Sequence, residues 1–274
     1  MIAATFFFAM MNVGVKYLRS IPAVEIVFFR SVISLIISFS YLKVRKIHPW
    51  GNNKKILFIR GLAGAIALVM FFITLQEMPL ASAVTIQFLT PIFTTILGIY
   101  IVKERVYVWQ WVFFSISFFG VIIIQGVDLR ITPLYATIGL VAGIFAGIAY
   151  NMIRKLNTTE NPMVIVLYFP LVTIPVTGIY VAINWVMPTG IDWLVLLFIG
   201  LATQFAQFYM TRAFQAEELS KIASIKYVEI IYAIIFGYLI FSETYDWRSY
   251  AGIGVVLFGV FLNIWFKQRI IGKR

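Results

Sequence analysis

Lys226 and Glu229 stand three residues apart in "ASIKYVEIIYAIIFGY", residues 223–238, inside a stretch that is otherwise apolar and long enough to cross a bilayer. That spacing puts the ammonium and the carboxylate on one helix face, within reach of each other. Arg30, in "VFFRSVIS", sits in a second apolar stretch. A charge at mid-bilayer costs about 2.5–3.5 kcal/mol on insertion scales, so these groups should face a bundle interior or a watery cavity and take partners there. The chemistry they can do is recognition. Arg30 and Lys226 suit a carboxylate or phosphate, and Tyr227 can stack on a solute or hydrogen-bond to it. Glu229 can hold an amino group or serve as a proton acceptor whose pKa moves when Lys226 turns to the substrate. Amides extend the polar set: Gln204, Gln207 and Thr211 recur at helical spacing, Asn12 and Asn151 add one amide each from two other spans, and Gln87 lies in a further span. Arg60, near the start of its span, either lines the cavity or snorkels to the interface. A structural role is the competing reading for all of these residues, as interhelical hydrogen bonds and a fixed ion pair.

The elements that position them are membrane helices. Of 274 residues 62% are hydrophobic and only 12% charged, a balance no soluble domain of this size could present on its surface. The apolar runs are continuous and do not alternate, so they are helical spans and not barrel strands. They are predicted near 2–18, 24–42, 56–76, 80–102, 107–125, 134–153, 163–187, 192–213, 220–241 and 247–266, with all seven Trp at or beside their ends. The first run has no basic n-region or cleavage site, so it is expected to be retained. Lys and Arg gather at 43–55, 103–105, 154–155, 212–221 and 267–274, whereas the opposite loops carry only Arg19, Arg130 and Arg248. Both termini are therefore expected in the cytoplasm, with the chain in the inner or plasma membrane.

An offset of 139 residues superimposes 61–121 on 200–260. Gly61, Gln76, Gly98 and Glu104 meet Gly200, Gln215, Gly237 and Glu243, and "FGV" at 119–121 meets "FGV" at 258–260. The same offset pairs Asn12 with Asn151, Lys16 with Lys155, Gln87 with Lys226 and Thr90 with Glu229. Residues 1–130 and 131–274 thus read as two five-helix repeats. Five is odd, so the second copy enters from the opposite side, as in the inverted repeats of secondary transporters. The expected fold is an all-α membrane protein of ten transmembrane helices in two inverted-topology five-helix repeats, around a polar cavity lined by spans 1, 2, 3, 4, 6, 8 and 9.

Some residues call for plainer readings. Glu25 should meet headgroups or Lys16, and Glu104 and Glu243 should hydrogen-bond loops. Gly139, Gly143 and Gly147 make small-xxx-small steps for close helix contact, and Pro91, Pro170 and Pro175 predict kinks. No Cys is present and His48 is the only His, so no metal site is expected. The net charge of +11 is largely explained by the loop asymmetry and points to no nucleic acid partner. No ATP-binding loop or catalytic constellation occurs, so neither an enzyme nor a cofactor is expected.

At "TFFFAMMNVGVKYL", "EIVFFRS", "IRGLAG", "PLASAVTIQFLTPIFTTILGIYIVKERV" and "IKYVEIIYAIIFGYLIFSETYDW", the chain resembles the EamA-type drug/metabolite transporter superfamily. The resemblance implies ten helices in two inverted halves. The set Arg30, Arg60, Lys226, Tyr227 and Glu229 is similar to the branch of S-adenosylmethionine uptake transporters and organic-anion carriers. In the second half "VLYFP" replaces "FFRS", and Ile230 stands where many relatives keep the Pro found here as Pro91. The expected function is secondary transport of a small anionic or zwitterionic metabolite by alternating access, with protons or a counter-substrate as possible coupling partners, in a monomer or homodimer. A passive channel for small solutes is the alternative.

Overall fold

The structure, a computed structural model, describes residues 1–103, 107–127, 132–156, 158–216 and 228–271. These residues form helices joined by short turns, with no strand among them. In chain order the helices are α1 (Ile2–Tyr17), α2 (Ala23–Val44), α3 (Lys54–Glu77), α4 (Leu80–Gln87), α5 (Thr90–Ile101), α6 (Val108–Val127), α7 (Pro133–Leu156), α8 (Pro162–Ile183), α9 (Asp192–Ala216), α10 (Val228–Phe241) and α11 (Trp247–Ile271). Among the described residues, seven stretches are long and apolar enough to cross a membrane, and three shorter apolar helices lie at 2–17, 108–120 and 231–241.

The predicted span 80–102 is not one uninterrupted helix. It breaks at Phe88 and Leu89, where Leu89 N–H donates to the Ile86 carbonyl at 3.1 Å in a tight turn. Pro91 falls in the first turn of α5, where a residue without an N–H is tolerated and cannot bond back to the Gln87 carbonyl. Pro170 and Pro175, by contrast, lie inside a single α8. That helix starts sharply because Asn161 Oδ1 accepts from Met163 N–H at 2.9 Å. Span 163–187 ends earlier than predicted, at Ile183, and the last helix runs on to Ile271.

The helices pair across the two halves of the chain. α3 packs on α7 as α1 packs on α9; α5 meets α7 as α10 meets α1; α3 meets α8 as α2 meets α9. α2 also pairs with α8, α4 with α10 and α7, and α6 with α11. Small residues set the closest approaches. In the two "FGV" triplets, a Cβ on Gly120 would lie 2.7 Å from Val256 N, and one on Gly259 would lie 2.8 Å from the Phe113 carbonyl. The repeated triplet is thus the contact surface of α6 against α11, reinforced by Gln110 Nε2 donating to Asn263 Oδ1 at 3.0 Å. Gly143 and Gly147 likewise let α7 lie against α5, at Phe93 and Thr94.

Candidate functional site

Between the helix pairs lies a cavity of about 130 Å³, many times the room one ordered water needs. α1 lines it with Phe8, Met11 and Asn12, α3 with a run from Arg60 to Phe71, α7 with Ala146, Ala149, Tyr150 and Ile153, and α9 with Gln207 and Met210. Single side chains come from α2 (Arg30), α8 (Phe169) and α10 (Glu229), and Gln87 and Phe88 come from the α4–α5 break. The interruption therefore opens helical backbone beside the cavity, where non-helical backbone in a membrane is tolerated.

Both arginines are buried, Arg30 1% and Arg60 5% exposed, so Arg60 does not snorkel. The Arg30 Cζ is 5.3 Å and the Arg60 Cζ 5.4 Å from the centre of the same Phe169 ring. Arg30 Nη1 also reaches Met11 Sδ at 3.8 Å, a weak acceptor. Arg30 Nε, Arg60 Nε and Arg60 Nη1 have no hydrogen-bond partner among the described residues. Buried guanidinium donors left unpaired are costly, and a bidentate carboxylate or phosphate satisfies them. Elsewhere on the wall Asn12 Nδ2 donates to Glu229 Oε1 at 2.9 Å, fixing the carboxylate against α1. Gln87 Nε2 and Gln207 Oε1 offer a donor and an acceptor that have no partner among the described residues.

The family model of the EamA-like transporter family matches residues 1–126 and 134–265. The chain belongs to this family. Among its relatives, the pseudopaline exporter CntI of Pseudomonas aeruginosa is 29% identical over 93% of this chain and 91% of its own. Solute carrier family 35 member G1 of Mus musculus is 28% identical, over 92% of this chain and 73% of its own. The S-adenosylmethionine uptake transporter of Rickettsia bellii is 24% identical over 94% and 90%. A solved crystal structure aligns over 97% of this chain with a TM-score of 0.66 at 14% identity, a likeness of fold. This EamA-like transporter is a multi-pass membrane protein and not an enzyme.

Of the residues predicted for its site, Asn12, Arg30, Arg60, Gln87, Gln207 and Glu229 line this same cavity. Lys226 and Tyr227 lie outside the described residues. Asn151 and Gln204 do not line the cavity. Asn151 Nδ2 donates to the Thr94 and Gly147 carbonyls, both at 2.9 Å, and so ties α7 to α5. Gln204 accepts from Ser34 Oγ at 2.7 Å and donates to Ser38 Oγ at 3.0 Å, stitching α9 to α2. Sequence reasoning missed Tyr150 on α7 and Phe169, the contribution of α8. An aromatic in an apolar span offers no contrast, and the one available signal was that "VLYFP" stands where the first half of the chain has "FFRS".

A second polar cluster lies at the end of the bundle where α1 and α3 finish. Lys16 Nζ pairs with Glu243 Oε1 at 2.7 Å and donates to the Met78 carbonyl. Glu243 Oε2 accepts from Leu80 N–H at 2.9 Å, capping the free N-terminus of α4, and from the Tyr245 hydroxyl. Gln76 Nε2 donates to the Leu18 and Ile21 carbonyls at 3.0 and 2.9 Å. Lys16 therefore does not meet Glu25. The latter is buried on α2, and its Oε2 accepts from Val186 N–H at 3.1 Å, because the chain after α8 folds over it and shuts out headgroups. Glu104 lies outside the described residues.

Proposed function

We propose that this transporter carries a small polar metabolite bearing a carboxylate or phosphate, and where present an amino group, by alternating access around the described cavity. The observation that carries the reading is that Arg30 Nε, Arg60 Nε and Arg60 Nη1, buried in the same cavity as the Asn12–Glu229 carboxylate, have no hydrogen-bond partner among the described residues. An anionic group would take the arginine donors, and an ammonium would lie at Glu229, which also serves as the proton-coupling candidate. Relatives named for pseudopaline and for S-adenosylmethionine agree with this class, since S-adenosylmethionine carries both a carboxylate and an ammonium.

In this reading residues 1–130 and 131–274 are inverted five-helix repeats of a ten-span fold, in the inner or plasma membrane with both termini in the cytoplasm. The mapping of the helix contacts onto themselves when the halves are exchanged supports it, as does the charge asymmetry of the loops. The Lys16–Glu243 cluster then closes the outer end. The cavity extends the other way, toward Ile153 and Met210 near the ends of α7 and α9. Opening outward requires that ion pair to separate, and substrate binding supplies the differential free energy for the change.

The test is counterflow of radiolabelled substrate in liposomes, after screening amino acids, nucleosides, S-adenosylmethionine and di- and tricarboxylates for thermal stabilisation of the purified protein. Arg30→Ala should raise the KM of every anion that stabilises the wild type, and unchanged anion transport defeats the assignment. Glu229→Gln should abolish proton-driven uptake while sparing counterflow; equal loss of both rejects a coupling role.

A further inference from the structure

We infer that Phe169 is the positioning residue that makes Arg30 and Arg60 into one anion site, and that Gly64 is what lets its ring lie there. This rests on the anionic substrate class proposed above and names the residue that sets its recognition.

Two like charges have no reason of their own to converge. Here both guanidinium carbons lie over one ring, at 5.3 and 5.4 Å, and Phe72 adds a second face to Arg30 at 5.7 Å. An acidic partner could gather two arginines as well, but it would occupy the donors an anionic substrate needs. An aromatic face attracts a cation through its quadrupole and accepts no in-plane N–H bond. The consequence is visible in Arg30 Nε and in Arg60 Nε and Nη1, which have no hydrogen-bond partner among the described residues although their side chains are buried.

The ring reaches this position because α8 runs close along α3. A Cβ on Gly61 would lie 2.8 Å from the Tyr168 carbonyl, and one on Gly64 would lie 3.1 and 3.2 Å from Phe169 Cδ2 and Cε2. "IRGLAG" therefore joins the cation at Arg60 to the clearance at Gly61 and Gly64 that its aromatic partner needs. At the 139-residue offset Arg60 corresponds to Ile199 and Gly64 to Thr203, so the arrangement has no copy in the other half. Both cations come from the first half and the ring from the second.

The experiment compares Phe169→Trp, Phe169→Tyr, Phe169→Leu and Phe169→Met in full-length protein, titrated separately with glutamate, malate and S-adenosylmethionine by thermal shift and by counterflow. For whichever probe the wild type recognises, Leu and Met should weaken binding about tenfold with kcat changed less than KM, while Trp and Tyr keep affinity within about threefold. The melting temperature without probe monitors folding, and a residue that only filled space would be rescued by Met as well as by Trp. Gly64→Ala should weaken the wild type by displacing the ring but add nothing on the Phe169→Leu background. Equal affinity across the four variants overturns the inference while leaving the anion site intact, provided Arg30→Ala and Arg60→Ala still lose affinity. A wild type that recognises none of the three probes overturns both.

Discussion

Lys16 and Arg60 are buried to nearly the same degree, 4% and 5% exposed, yet their surroundings are opposites. Lys16 holds a carboxylate and a backbone carbonyl, and that carboxylate in turn caps α4 and accepts from a tyrosine hydroxyl. Arg60 holds the face of a phenylalanine, and two of its nitrogens have no partner among the described residues. Burial alone therefore does not distinguish a structural charge from one that awaits a ligand; what distinguishes them is whether the neighbours complete the hydrogen bonds. In the proposed mechanism the satisfied cluster locks one end of the bundle, and the incomplete one marks the substrate cavity.

The two charges should differ most in what their loss does to stability. Glu243→Ala removes the carboxylate from the buried Lys16 ammonium and frees the Leu80 N–H at the start of α4, and should cost about 3–5 kcal/mol in unfolding measurements in detergent. Lys16→Met together with Glu243→Gln should recover most of that loss, since neither change then leaves a charge unpaired. A loss under about 1 kcal/mol for the single variant would deny the cluster its locking role.

Arg60→Met should act in the other direction. It removes a buried cation without a full partner set, so the melting temperature should hold or rise while KM for an anionic substrate climbs about tenfold or more. If Arg60→Met destabilises the protein as Glu243→Ala does, the two regions are alike and the cavity reading fails.

The smallest effect is expected at Gln204, whose amide joins α9 to Ser34 and Ser38 on α2. Gln204→Leu should cost about 1 kcal/mol of stability and leave KM unchanged. Its neighbour Gln207 faces the cavity, and Gln207→Leu should alter KM with less effect on stability. Exchange of these two outcomes would mean that the stripe on α9 turns its other edge to the substrate.

Sequence alone determined the membrane class, most helix boundaries and the charged residues of the cavity, because hydropathy contrast is a local property. An arginine or glutamate inside an apolar run demands a polar environment wherever its helix packs. The internal offset even singled out Lys16 and Glu243 as repeated residues, though nothing in it said that they bond to each other. Only the tertiary structure decided which polar residues face the cavity and which are spent between helices. The 139-residue offset pairs Asn12 with Asn151, yet one bonds to Glu229 at the cavity and the other to backbone carbonyls of α5 and its own helix. Gln204 and Gln207, one turn apart, divide in the same way because neighbouring helices claim different angular sectors of α9. Phe169 was silent in the sequence for a related reason: its role comes from two arginines on other helices, and a ring among apolar residues acquires that meaning only when packing brings the cations to its face.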